Sequence, residues 1–151
     1  MNEKSNWFDS HTLSWGIAAG LGMSLFLVIL QSVSLNNTVA LKFFKYIFLA
    51  IFIFYGLSKQ KVRLGENYRF KNGMMAGGWI TFYSGIVLAI MNVLLFVGTD
   101  SLAFDKFTET GTTLGSVGLI SGVLFFEVMI FGLILTFIWL QFIKPKRSKV
   151  R

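Results

Sequence analysis

Cysteine is missing from this chain altogether, so disulfides, thiolate metal sites and cysteine nucleophiles are excluded. There is a single histidine, His11, and it lies in the polar N-terminal segment. A histidine zinc site or a Ser-His-Asp triad would have to be built on that one residue, outside the apolar parts of the chain. Proline occurs once, against seventeen phenylalanines, which suits long uninterrupted helices. Charge is scarce: 14% of the 151 residues are charged, where a soluble domain has about 25%. No internal repeat, low-complexity tract or second domain is visible, and residues 1–151 read as one domain.

What remains is mostly four apolar runs, at about 13–34, 39–58, 74–97 and 116–143. Each is near or above the ~20 residues that cross ~30 Å of hydrocarbon as a helix. The sequence therefore predicts an all-α integral membrane protein, a bundle of four transmembrane helices. Ser32-Val33-Ser34 faintly resembles a signal-peptide cleavage site. Against that, Met1–Thr12 carries Glu3 and Asp9 with only Lys4, and the apolar stretch exceeds the usual ~7–15 residues of a signal peptide. The first run is expected to be a retained span.

The net charge of +7 is not spread evenly. Lys59, Lys61, Arg63, Arg69 and Lys71, less Glu66, give +4 between the second and third runs. Lys144, Lys146, Arg147, Lys149 and Arg151 give +5 after the fourth, and the rest of the chain sums to −2. Basic residues gathered beside spans are the positive-inside pattern, and contact with anionic lipid headgroups accounts for them without nucleic acid. The expected topology places both clusters, and both termini, on the cytoplasmic side of a bacterial inner membrane. Trp15, Tyr55, Trp79 and Trp139 fall near the cytoplasmic ends of their helices under that assignment, at the headgroup level that indole and phenol rings prefer. Asn36-Asn37-Thr38 reads as a tight outer turn. The outer loop 98–115 is net acidic, and Asp100 could cap a short interfacial helix with Leu102, Ala103, Phe104 and Phe107 on its apolar side.

Helix association in lipid depends on close packing, because lipid tails are as apolar as leucine. The first run offers Gly16 and Gly20, then Gly22. The third offers Gly73, Gly77, Thr81, Gly85 and Ala89 along one face. The fourth offers Gly111, Gly115, Gly118 and Gly122 at its outer end. These faces predict packing within the bundle or a seam between copies.

Glu127 stands inside Val123-Leu124-Phe125-Phe126-Glu127-Val128-Met129-Ile130. A carboxylate at mid-bilayer costs about 2.5–3.5 kcal/mol even on the lenient insertion scale, so it must be neutral, paired or wet. Lys45 is the expected partner, with Asn92 at a similar depth and Gln31 a little closer to the outer surface; snorkelling is a simpler fate for Lys42 and an alternative for Lys45, which would leave Glu127 without this partner. Glu127 lies about 180° around its helix from Gly118 and about 140° from Gly122, so it addresses a different neighbour, a cavity or a partner. Three roles fit: a polar cluster fixing helix register, a contact for a partner subunit, or an ion or proton site.

The Gly-rich first span (Trp15-Gly16-Ile17-Ala18-Ala19-Gly20-Leu21) is followed by a basic loop after the second. The third then opens on Phe70-Lys71-Asn72-Gly73-Met74-Met75-Ala76-Gly77-Gly78-Trp79. With the polar outer loop and basic tail, this arrangement resembles the small bacterial membrane proteins grouped as domain of unknown function 4199, though the first hairpin is short for them. The resemblance implies a four-span inner-membrane protein and carries no catalytic residue. The expected function is a non-enzymatic accessory or scaffold subunit that assembles with other membrane subunits or with itself and needs neither cofactor nor metal. The alternative is a small ion, proton or solute transporter or channel. An intramembrane enzyme would need a nucleophile or metal cluster, commonly with paired acidic residues, and only one carboxylate lies within the apolar runs.

Overall fold

A computed structural model describes residues 10–33, 43–99 and 114–143. Among these residues there is no strand, and four long helices account for nearly all of them: α1 (Ser10–Ser32), α2 (Lys45–Leu64), α3 (Phe70–Thr99) and α4 (Leu114–Phe142), with a 3-10 turn at Gly65–Asn67 between α2 and α3. Three contain stretches long and apolar enough to cross a membrane: His11–Leu30, Phe70–Leu95 and Val117–Phe142. Helix α2 is not among them. It carries Lys45 at one end and Lys59, Lys61 and Arg63 at the other, leaving Tyr46–Ser58 as its uncharged stretch.

The extent of α2 differs from the expected span 39–58. The helix runs on past Ser58 to Leu64, because nothing in Lys59–Leu64 breaks a helix and Lys61 and Arg63 sit favourably in its last turn. Gly65 stops it. At φ 51° its backbone adopts a left-handed conformation that glycine takes without a Cβ penalty, and its N–H returns to the Lys61 carbonyl. The Asn36–Thr38 turn, the interfacial helix expected near Asp100, and Lys42, Gly111 and Lys144–Arg151 lie outside the described residues.

The helices alternate in direction. Phe26 meets Phe48, and Trp15 stacks on Tyr55, so α1 and α2 are antiparallel. Gly16 lies against Ile80 and Tyr83, and Gly20 against Ser84 and Val87, so α1 and α3 run parallel. Gly73 faces Leu140, Gly77 faces Thr136, Thr81 faces Gly132, and Asn92 bonds Ser121, so α3 and α4 are antiparallel. Helix α3 packs against all three others, and α2 also touches α4.

Two features let α3 approach its neighbours. A Cβ at Gly16 would sit 2.6 Å from the Tyr83 Cβ, and one at Gly20 would sit 2.6 Å from the Val87 Cβ. On the other side the packing is reciprocal. Thr136 of α4 fills the notch at Gly77, and Thr81 of α3 fills the notch at Gly132. Both hydroxyls donate to their own helix, Thr81 to the Gly77 carbonyl at 2.8 Å and Thr136 to the Gly132 carbonyl at 2.7 Å. Each threonine thus presents its methyl to the facing glycine while its polar group is satisfied locally, and all four residues are buried.

The core of Ala19, Met23, Leu49, Ile53, Leu57, Ile80, Leu88, Val128 and Leu140 is closed to solvent. The outside is apolar as well. Leu25 is 64% exposed, Leu119 75%, Val123 67%, Phe126 67% and Ile130 60%. Such a continuous apolar exterior suits hydrocarbon and not water.

Candidate functional site

The N-terminal end of α2 carries Lys45, which is 1% exposed. Its Nζ donates to Glu127 Oε2 of α4 at 3.3 Å and lies 4.9 Å from the centroid of the Tyr46 ring. That ring stacks on Phe131 with centroids 4.4 Å apart, which holds the two helices together one turn further along. The Tyr46 hydroxyl also faces the Glu127 carboxylate, outside hydrogen-bonding geometry. The glutamate side chain keeps 30% of its surface exposed. The pair is therefore asymmetric: an enclosed ammonium and a carboxylate with one edge at the outside of the bundle.

Asn92 does not join this pair. It is buried on α3, and its Nδ2 donates to Ser121 Oγ at 3.0 Å, while Oδ1 has no partner. Beside it, where α1, α3 and α4 meet, lies a cavity of about 10 Å³ lined by Ser24, Leu27, Leu88, Met91, Asn92, Leu95 and Leu124. That is room for about one water molecule. The side chain of Gln31 lies outside the described residues. Of the four polar residues expected to converge, the structure joins Lys45 to Glu127 and gives Asn92 a separate partner, Ser121, which sequence reasoning did not single out. Ser121 lies six residues before Glu127, on the same helix.

The expected packing residues divide in two. Gly16, Gly20, Gly73, Gly77, Thr81 and Gly85 are in close contact; a Cβ at Gly85 would meet Phe125 Cδ2 at 2.9 Å. Ala89 is half-buried. The outer glycines of α4 do not pack within the bundle among the described residues. Around Gly118 and Gly122 the space within 4 Å of an added Cβ is open among the described residues, and Gly118 is exposed. The face of α4 that meets α3 is set by Val117, Ser121, Leu124, Val128, Gly132, Thr136 and Leu140, all buried, and Gly118 falls off it. Gly132 is the glycine that matters on α4. The signal for it was present, because Gly132 and Thr136 repeat the spacing of Gly77 and Thr81.

At the basic end, Lys61 Nζ donates to the Ile143 carbonyl at 2.9 Å, satisfying a carbonyl just beyond the last turn of α4. Lys59 Nζ lies 5.4 Å from the Trp15 ring centroid, with Tyr55 stacked on the same indole. Arg63, Arg69 and Lys71 are exposed. Tyr68, between the 3-10 turn and α3, is 2% exposed, and its hydroxyl has no partner. Burial pushes its phenol up to about 12. Gln60 Oε1 and Trp139 Nε1 are likewise enclosed without partners.

Among the described residues no three of histidine, cysteine, aspartate and glutamate come together. The polar contacts among the described residues include the Lys45–Glu127 ion pair, the Asn92–Ser121 bond, a bond from Trp15 Nε1 to His11 Nε2 at 3.1 Å and hydroxyls bonded to their own helices. Comparison with protein-family models, with curated proteins and with solved structures finds no match.

Proposed function

We propose that this protein is a four-span inner-membrane protein with both termini cytoplasmic, acting as a non-enzymatic accessory or scaffold subunit through helix–helix contacts. The observation that carries this reading is the division between inside and outside. The interior is filled by interlocking small residues and self-satisfied hydroxyls, with space for about one water beside Asn92. Along the apolar stretches of the described helices the exterior is a broad apolar surface that includes the open carboxylate edge of Glu127.

The fourth span is α2. Its uncharged stretch Tyr46–Ser58 is only about 20 Å long, short for a bilayer. Two features compensate. The charge of Lys45 is met by Glu127 instead of lipid, and at the other end Lys61 bonds the Ile143 carbonyl while Lys59, beside the Trp15 ring, and the exposed Arg63 reach toward headgroups. The alternation of helix directions supports a topology in which the basic ends of α2 and α3 share one side. The resemblance to domain of unknown function 4199 agrees with a four-span chain.

The test is crosslinking in native membranes followed by native electrophoresis in mild detergent. The expected outcome is a species larger than the monomer with a reproducible composition. A strictly monomeric protein with nothing co-purifying would remove the subunit role. The cysteine-free chain makes the topology directly measurable: a single cysteine at Val62, which is 84% exposed, is expected to react only from the cytoplasmic side.

A transporter or channel is the second reading, favoured by the ion pair within the apolar helices and by the unpartnered Asn92 Oδ1. It requires ion- or pH-dependent flux in proteoliposomes that Glu127→Gln abolishes in a folded protein. Flux equal to that of empty vesicles across ions and pH would exclude it.

A further inference from the structure

The Glu127 carboxylate is an acceptor in a place where lipid supplies no donor. It lies ten residues from Val117 and fifteen from Phe142, about 15 Å and about 22 Å along α4, within the apolar stretch. Lys45 uses Oε2. A carboxylate has about four lone-pair sites, and 30% of this side chain is open to the outside. The residues one helical turn or two away on the same face are Val123, Ile130 and Ile134, exposed by 67%, 60% and 52%. The carboxylate edge is thus the single polar point on an apolar stripe with the i, i+3, i+4 spacing on which another helix packs. The enclosed Tyr46 hydroxyl faces the carboxylate but makes no hydrogen bond to it, so the edge open to the outside stays costly in hydrocarbon unless a donor reaches it from outside the bundle.

We propose that this stripe seats a transmembrane helix of a different protein, which places a neutral hydrogen-bond donor, a hydroxyl, carboxamide or indole N–H, against the open edge of Glu127. A helix is required because only a helix brings a side chain to that depth with its own backbone satisfied. The donor is neutral because Lys45 already matches the charge; a second cation would leave an uncompensated positive charge in hydrocarbon. The partner is a different chain because a two-fold contact on this stripe would set two acceptors face to face with no donor between them. This inference rests on the accessory-subunit reading and names the contact that role would use.

The experiment places the photo-crosslinker p-benzoylphenylalanine at Val123 or Ile130 in the full chain in native membranes, and at Leu25 or Ile29 on α1 as reference positions (64% and 52% exposed). The expected result is adducts from Val123 and Ile130 to one transmembrane segment, identified by mass spectrometry, with a hydroxyl, carboxamide or indole side chain at the level of Glu127. Replacing that side chain with leucine lowers adduct yield threefold or more, the size of one interhelical hydrogen bond. Two variants with the same burden on the fold complete the test. Lys45→Met with Glu127→Gln keeps a carbonyl acceptor and keeps the adduct. Lys45→Met with Glu127→Met removes the acceptor and loses the adduct by the same factor. Adducts only to lipid or to a second copy at Val123 and Ile130, or undiminished adducts in the double methionine variant, would overturn the inference. Protein adducts at Leu25 or Ile29 but none on the stripe would overturn it and leave the subunit reading standing. No protein adduct at any position would overturn both.

Discussion

Lys61 reaches across from α2 to donate to the carbonyl of Ile143, 82 residues away in sequence. Lys45 and Glu127 are also 82 residues apart. Equal separations at both contacts mean that α2 and α4 run parallel in one register over the sixteen residues between them, about 24 Å. The aromatic pairs Tyr46–Phe131 and Phe54–Trp139 lie in step with that register. Parallel helices cannot be joined by a short turn, so these contacts between side chains of distant parts of the chain set their alignment.

The inner of the two lysine contacts is expected to behave as a unit. Removing one partner leaves a charge in hydrocarbon without its counter-charge, at a cost of about 3–5 kcal/mol when burial is complete. Glu127→Met should cost more than Lys45→Met, because the lysine is enclosed and the glutamate has an open edge. The double variant Lys45→Met/Glu127→Met should recover most of either loss, since two apolar side chains replace two charges. Unfolding of all four proteins in mixed micelles gives the coupling energy. Additive losses would mean that the 3.3 Å contact does not act as an ion pair.

Lys61→Met is expected to act locally. It removes one charge-assisted hydrogen bond at the partly exposed end of α4, worth about 1 kcal/mol. Amide exchange should quicken in the last turn of α4 and stay unchanged around Val128. A uniform change along α4 would mean that Lys61 supports the whole register and not only the helix end.

How much of this was legible in the sequence depends on the kind of signal. The apolar runs of α1, α3 and α4 are long, so length and hydropathy alone placed them. The Lys45–Glu127 pairing followed from the cost of a bare carboxylate. Helix α2 was harder, because a hydropathy run ends where charge begins, whereas a helix ends where its hydrogen bonds do. Lys61, Arg63 and Gly65 together spell a basic last turn and a glycine stop, a signal that a hydropathy reading passes over. That the outer glycines of α4 have no neighbour within the bundle among the described residues was not legible for a similar reason. Spacing of four shows that small residues share a face but not that the face has a neighbour, and Gly118 and Gly122 have open space where Gly132 has Thr81. Asn92–Ser121 needed the register of α3 against α4, which only the packed structure supplies.

The reciprocal glycine–threonine packing leads to a contrast within one residue type. Gly77→Val or Gly132→Val forces a side chain into the facing threonine and should destabilise by about 1–3 kcal/mol. Gly118→Ala, with nothing within 4 Å among the described residues, should change stability by less than about 0.5 kcal/mol. Thermal unfolding in detergent distinguishes the two groups. Equal losses at Gly77 and Gly118 would place an unrecognised neighbour over the outer end of α4.

Tyr68 gives a prediction about alkaline pH. Its phenol is enclosed beside Gly73, its hydroxyl has no partner, and burial pushes it up to about 12, from about 10 in an unfolded chain. A raised phenol means that the folded state holds its proton where the unfolded state has released it. Stability from this group is therefore constant below pH 10, falls between pH 10 and about 12, and levels off above that, with a total change on the order of 2 kcal/mol. Tyr68→Phe should lack the decline. It should also be at least as stable as the parent below pH 10, because an enclosed hydroxyl without a partner contributes a desolvation cost of about 1 kcal/mol or more and no bond. Unfolding free energies of both proteins from pH 8 to pH 12 isolate the residue, since every other titrating group is common to the pair. A constant difference across that range would show that water reaches the Tyr68 hydroxyl and that the contact between Gly73, Leu140 and the phenol is looser than the structure has it.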